Sequence, residues 1–110
     1  MKKIILFLIL LTLSSFSFAD LTTVKVYLNT KDVVNDHWTS YISGVGNGYV
    51  VMNASIEKHL FCVPDKLALN ADNFKNILDD QIEKYGEKIN AIPIEVPLLN
   101  GLKTTFPCKK

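Results

Sequence analysis

The sequence predicts a small all-α domain of three to four helices, stapled by one disulfide and preceded by a cleaved export signal. Three observations predict it. Apolar residues recur every three or four positions across the stretches 34–56, 71–85 and 98–106. Cys62 and Cys108 are the two cysteines, and both lie well beyond the start of the chain. The first nineteen residues have the three-part layout of a secretory signal peptide.

That layout comes first in chain order. Lys2 and Lys3 form a basic lead, residues 4–13 are almost purely apolar, and Ser17-Phe18-Ala19 places small residues where a signal peptidase reads. A membrane anchor is the competing reading. The apolar run is about ten residues, and a helix needs about twenty to cross a bilayer. The division is therefore 1–19 as signal peptide and 20–110 as a single domain, with no membrane anchor after cleavage. Export fixes the chemistry available later, because nucleotides and reducing thiol buffers are left behind. In an oxidising compartment two cysteines read as one disulfide. Closing a loop of about 47 residues stabilises by about 4 kcal/mol in the chain-entropy picture. A free thiol pair or half a metal site are the alternatives. A metal would need further ligands, and His37 and His59 are the only histidines.

Residues 21–28 alternate loosely around Val24, Val26 and Tyr27, and read equally as a short strand or a short helix. The stretch 34–56 is clearer. Val34, Trp38, Tyr41, Val45, Tyr49, Met52 and Ile56 form one helical stripe with Ile42 at its edge, and Asp32 is a plausible cap. Gly44, Gly46 and Gly48 each cost up to about 1 kcal/mol inside a helix. The stripe passes through them in phase, which favours one long helix, open to a kink. Gly44 and Gly48, one turn apart, then become the positions where another helix comes close, within the monomer or across a dimer, alongside Trp38 and Tyr41.

Residues 58–69 read as a connector carrying Cys62, flanked by Phe61 and Val63. Asn70 caps the next helix, over 71–85, with Phe74, Ile77, Leu78, Ile82 and Tyr85 inward and Lys75, Asp79, Asp80, Glu83 and Lys84 outward. Gly86 ends it. Residues 86–92 read as a polar loop. The last helix begins at Pro93 or Pro97 and buries Leu98, Leu99, Leu102 and Phe106. Asn100-Gly101 is a turn pair on local chemistry, but the apolar spacing continues across it.

Composition narrows the partners. The chain has twelve lysines and eleven acids, without arginine, and loses two of those lysines with the signal. Near neutrality and scattered lysines give nucleic acid no footprint. No catalytic set stands out, no cofactor is called for, and the reading is not that of an enzyme. No Gly-x-Ser-x-Gly elbow occurs, His37 and His59 have no acid at a telling spacing, and Asp79, Asp80 and Glu83 fall on a solvated helix face. Asn53-Ala54-Ser55 matches a glycosylation triplet but falls on a helix and reads as chance.

Several landmarks together resemble a known family. Tyr41-Ile42-Ser43-Gly44-Val45 with Gly48 is similar to a Tyr-x-x-Gly-x-x-x-Gly helix motif. Phe61-Cys62-Val63-Pro64 is similar to Phe-Cys-x-Pro, and Phe106-Pro107-Cys108 to a terminal Phe-Pro-Cys. In this order, over about 24–108, they resemble the Rap/Tai-type immunity proteins of type VI secretion systems. The resemblance implies a helical, disulfide-bonded protein in the periplasm of a Gram-negative bacterium, with secretion as the alternative. It implies a partner, a peptidoglycan amidase whose active site is blocked, and frequent homodimers. A blocker needs a rigid body and an exposed feature that enters a cleft. The candidate is the connection 84–90, with Tyr85, Glu87, Lys88 and Asn90 as partner contacts; a plain polar connector is the competing reading. A general envelope binding or chaperone-like accessory with the same fold is the alternative function.

Overall fold

A computed structural model describes residues 22–109. The export signal expected over residues 1–19 lies outside them. The domain is all-α: α1 spans Val24–Thr30, α2 Asn35–Ser55, α3 Ala71–Tyr85 and α4 Glu95–Thr105, with a 3-10 helix at Gly86–Ile89. No strand forms among the described residues; Thr23 and Pro93 make an isolated antiparallel bridge.

Residues 21–28, open between strand and helix in the sequence, contain a helix. The Thr23 side chain caps α1 by accepting from the Val26 N–H. A seven-residue helix is too short to hold itself. Burial of Val24 and Tyr27 fixes it to the core. The Tyr27 hydroxyl donates to Asp79 at 2.8 Å, and the Trp38 indole N–H donates to Thr30 Oγ1 at 2.9 Å. Asp79, expected on a solvated face, is thus half-buried and engaged.

α2 is one uninterrupted helix, so the glycines do not divide it. Its first residue follows Val34, and no side chain caps it; Asp32 does not serve. Its buried line runs through Trp38, Ile42, Gly46 and Asn53, which puts Ile42 at the centre of the face. Tyr41, Val45 and Tyr49 flank that line, while Val34 and Met52 are exposed. Trp38 packs edge-on against both Tyr27 and Tyr41, with ring centroids 5.2 and 5.9 Å apart.

Gly44 and Gly48 do not provide a close approach within this chain. A methyl group built on either meets nothing within 4 Å, because both lie on the exposed side. The tight positions are Gly46, where a methyl would sit 2.5 Å from the Phe74 ring, and Gly101, where it would sit 2.4 Å from Ile77 Cγ2. These two glycines let α2 and α4 approach α3, which packs against both.

α3 begins at a reciprocal capping box: Asn70 and Asn73 each accept from the other's main-chain N–H at 2.9 Å. It stops at Gly86, whose φ of +62° suits a residue without a side chain. α4 starts at Glu95, so neither Pro93 nor Pro97 is its first residue. Pro97 lies in the first turn, where a missing N–H leaves no helical bond unmade. Ahead of it, the chain is clamped to the N-terminal segment: Val24 N–H donates to the Ile92 carbonyl, Lys25 N–H to Asn90 and Ile94 N–H to Thr22, at 2.9, 3.1 and 2.8 Å. At the other end, Cys62 and Cys108 are disulfide-bonded, and Cys62 N–H donates to the Phe106 carbonyl at 2.8 Å. α4 is therefore fastened before its start and after its end.

Candidate functional site

The junction of α3, the 3-10 helix and α4 carries a concavity built from uncharged residues. Gln81 on α3 and Asn100 on α4 supply its polar groups. Tyr85, Ile89, Ile92, Val96 and Pro97 supply its walls, around a volume of about 280 Å³. Local sequence explains the shape. α3 must end at Gly86, and the tight 3-10 turn carries Ile89 back towards the core while Glu87 and Lys88 stay exposed. Gly101 lets α4 lie against Ile77 and Gln81, which brings Asn100 to Gln81. The Asn100 amide donates to Gln81 Oε1 at 2.6 Å. Gln81 is 6 % exposed, yet makes no other side-chain hydrogen bond among the described residues.

The residues expected at a partner surface divide. Tyr85, assigned to the inner face of its helix, is 40 % exposed and forms one wall of the concavity. Lys84 Nζ stands 5.4 Å from the centre of its ring. Glu87 and Lys88 are exposed on the 3-10 helix, so this segment is more ordered than the polar loop the sequence predicts. Asn90 is half-buried, and its carbonyl holds Lys25. It belongs to the clamp on the N-terminal segment.

Gln81 and Asn100 escape a reading by hydropathy, because both are polar. Helical register places Gln81 four residues after Ile77 and three after Leu78, on the inward face. A polar residue at an inward position is the signal that points to it.

The other residues weighed for chemistry stand apart. His37 and His59 are both exposed, the first at the start of α2 and the second in the connector. Among the described residues no three His, Cys, Asp or Glu side chains converge as metal ligands. Asn53 is buried at the end of α2: its amide donates to the Phe61 carbonyl at 2.8 Å and accepts from Leu60 N–H at 2.7 Å and from Phe61 N–H at 3.3 Å. A side chain so engaged pins the connector and is not presented to a glycosylating enzyme.

Three tyrosines have raised pKa values. Burial, then the hydrogen bond to Asp79, raises Tyr27. Tyr41 is pushed up to about 12 by burial and by donating to the Glu95 carboxylate. Burial, then the nearby Glu95 charge, raises Tyr49, whose hydroxyl donates to the Glu95 main-chain carbonyl at 2.9 Å. Tyr41 and Tyr49 thus tie α2 to the first residue of α4. All three hydroxyls stay protonated at neutral pH and act as hydrogen-bond donors. Compared with protein families, with characterised proteins and with solved structures, the chain matches none.

Proposed function

We propose that this chain is a periplasmic immunity-type inhibitor that binds a peptidoglycan amidase delivered by a type VI secretion system and occludes its active site. One observation carries the reading. Phe-Cys-x-Pro and Phe-Pro-Cys follow in that order behind a stretch that reads as an export signal, and the two cysteines of those motifs are the ones joined. The physical form suits the task. A disulfide-tied helical body loses little freedom on binding, so more of the contact energy appears as affinity. The exposed 3-10 helix with Tyr85, Glu87 and Lys88 offers a feature that can enter a cleft.

A chaperone-like accessory would call for one broad apolar surface. The exposed large apolar residues lie on several elements: Leu28 on α1, Val33 and Val34 before α2, Val51 and Met52 on it, Leu60 and Leu67 in the connector, and Tyr85 on α3 with Val96 on α4 at one concavity.

The test is protection. The full chain, with its signal, is expressed in a bacterium whose periplasm receives candidate amidase effectors. Survival, together with a stoichiometric complex of the mature chain and one effector, is the expected result. Lysis by every candidate, with no complex formed, would remove the amidase reading. Capture of many unfolded clients would favour the accessory alternative.

A further inference from the structure

We propose that the concavity between the end of α3 and the start of α4 is a receptor for one apolar side chain and its adjoining main-chain amide, presented by a folded protein partner. The inference deepens the binding role above and rests on it for the partner being a protein.

Three features select that occupant. The lining is uncharged throughout, so it offers nothing to a phosphate, a carboxylate or an ammonium group. The volume of about 280 Å³ falls just below the roughly 300–1,000 Å³ of pockets that enclose whole small molecules, and suits one side chain. The floor holds two amides bonded to each other. One Gln–Asn hydrogen bond uses one donor and one acceptor site. It leaves the pair with both N–H and C=O capacity, whichever amide donates. A peptide group has the same two needs. The Gln81 amide nitrogen, which has no protein partner among the described residues, is reached by solvent at the concavity, where a peptide carbonyl can accept from it. The surrounding apolar wall, with Tyr85 at 40 % and Val96 at 55 % exposure, stands open to receive the side chain.

The geometry also assigns roles within an interface. Glu87 and Lys88 project outward while the concavity opens beside them. Of the exposed residues here, Tyr85 in the concavity wall is the type that anchors an interface, with Glu87 and Lys88 at its rim.

The experiment uses the mature protein and the probe N-acetyl-leucine methylamide, with N-acetyl-aspartate methylamide as the charged control. The side-chain amide signals of Gln81 and Asn100 are followed by NMR. We expect both signals to shift saturably with the leucine probe, with a dissociation constant of about 1 mM, the strength suited to so few atoms. The aspartate control should bind about tenfold or more weakly. Gln81→Leu should weaken the leucine probe about tenfold, as expected for a lost buried hydrogen bond. Val96→Lys alters only an exposed rim residue, so the protein stays folded, and it should weaken binding similarly. Unmoved Gln81 and Asn100 signals, equal binding of the two probes, or unaltered binding by Val96→Lys would each overturn the receptor. The probe result is independent of the protection assay, so failure of the amidase reading and failure of the receptor are separately visible.

Discussion

A methyl group is enough to distinguish the two kinds of glycine in these helices. At Gly101 it would collide with Ile77 Cγ2 at 2.4 Å and press on Gln81 Cγ at 3.0 Å and the Ile77 carbonyl oxygen at 3.3 Å. Ile77 is β-branched and stiff, so the strain passes to the helix backbones. Overpacking of this kind costs about 1–3 kcal/mol, against about 1 kcal/mol gained in helix propensity. Gly101→Ala and Gly46→Ala are therefore expected to lower stability. Gly44→Ala and Gly48→Ala meet nothing, so propensity alone acts and each should raise stability by up to about 1 kcal/mol. Urea midpoints of the four variants check the contrast. A loss at Gly44 as large as at Gly101 would contradict the assignment of faces. Asn53 makes a second residue-scale case. Asn53→Ala leaves the Phe61 carbonyl and the Leu60 and Phe61 N–H groups without their partner, at a cost of about 1–3 kcal/mol. Amide exchange at Leu60 and Phe61 should quicken, and protection equal to that of the parent would refute the pinning role.

At the level of elements, legibility in the sequence followed the strength of the periodic signal. α3 was readable in both boundaries, because Asn70 and Gly86 end it with opposite chemistries. α1 was not, since seven residues hold too little periodicity and its stability comes from Tyr27 reaching Asp79 far along the chain. The α2 stripe was readable as a helix but rotated in its face. Aromatic residues drew the stripe towards Tyr41 and Tyr49, while the true line passes through Gly46 and Asn53, which hydropathy does not flag. Within the concavity Tyr85 stands out in the sequence, but the polar pair Gln81 and Asn100 does not, for the same reason. Element docking through tyrosine hydroxyls has a pH signature. Unfolded tyrosine loses its proton near pH 10, while Tyr27, Tyr41 and Tyr49 keep theirs to higher pH when folded. Above about pH 10 the unfolded chain thus binds fewer protons than the native one, so stability falls as pH rises. This contribution is fully present below about pH 10 and, for Tyr41, is lost towards pH 12. Urea midpoints measured at pH 8 and pH 11 should drop less in Tyr27→Phe than in the parent. Equal drops would separate Tyr27 from the alkaline transition.

For the molecule as a whole, the disulfide sets how the ends of the fold are held. Cys62 and Cys108 are 46 residues apart, and the loop they close contains α3, the 3-10 helix and α4. α1 and α2 lie outside that loop and are joined to it by packing, by the tyrosine hydroxyl bonds to Asp79 and Glu95 and by the clamp of residues 22–25 on 90–94. Fixing the loop removes about 4 kcal/mol of unfolded-state entropy in the chain-entropy picture. A domain of this size has a total margin of about 5–15 kcal/mol, so the staple supplies a large share of it. Cys62→Ser with Cys108→Ser should therefore unfold at clearly lower urea, by an amount equivalent to about 2–4 kcal/mol, and still fold at low temperature because the core is unaltered. Loosening should begin where the bridge acts. The Cys62 N–H, bonded to the Phe106 carbonyl, should lose exchange protection before the amides of α3 do. The walls of the concavity lie on both sides of the same loop's internal turn, so the double variant should also bind N-acetyl-leucine methylamide less tightly near its unfolding midpoint while retaining full binding well below it. A double variant with an unchanged midpoint would mean that packing alone holds α4, and that oxidation is not what makes this body stiff.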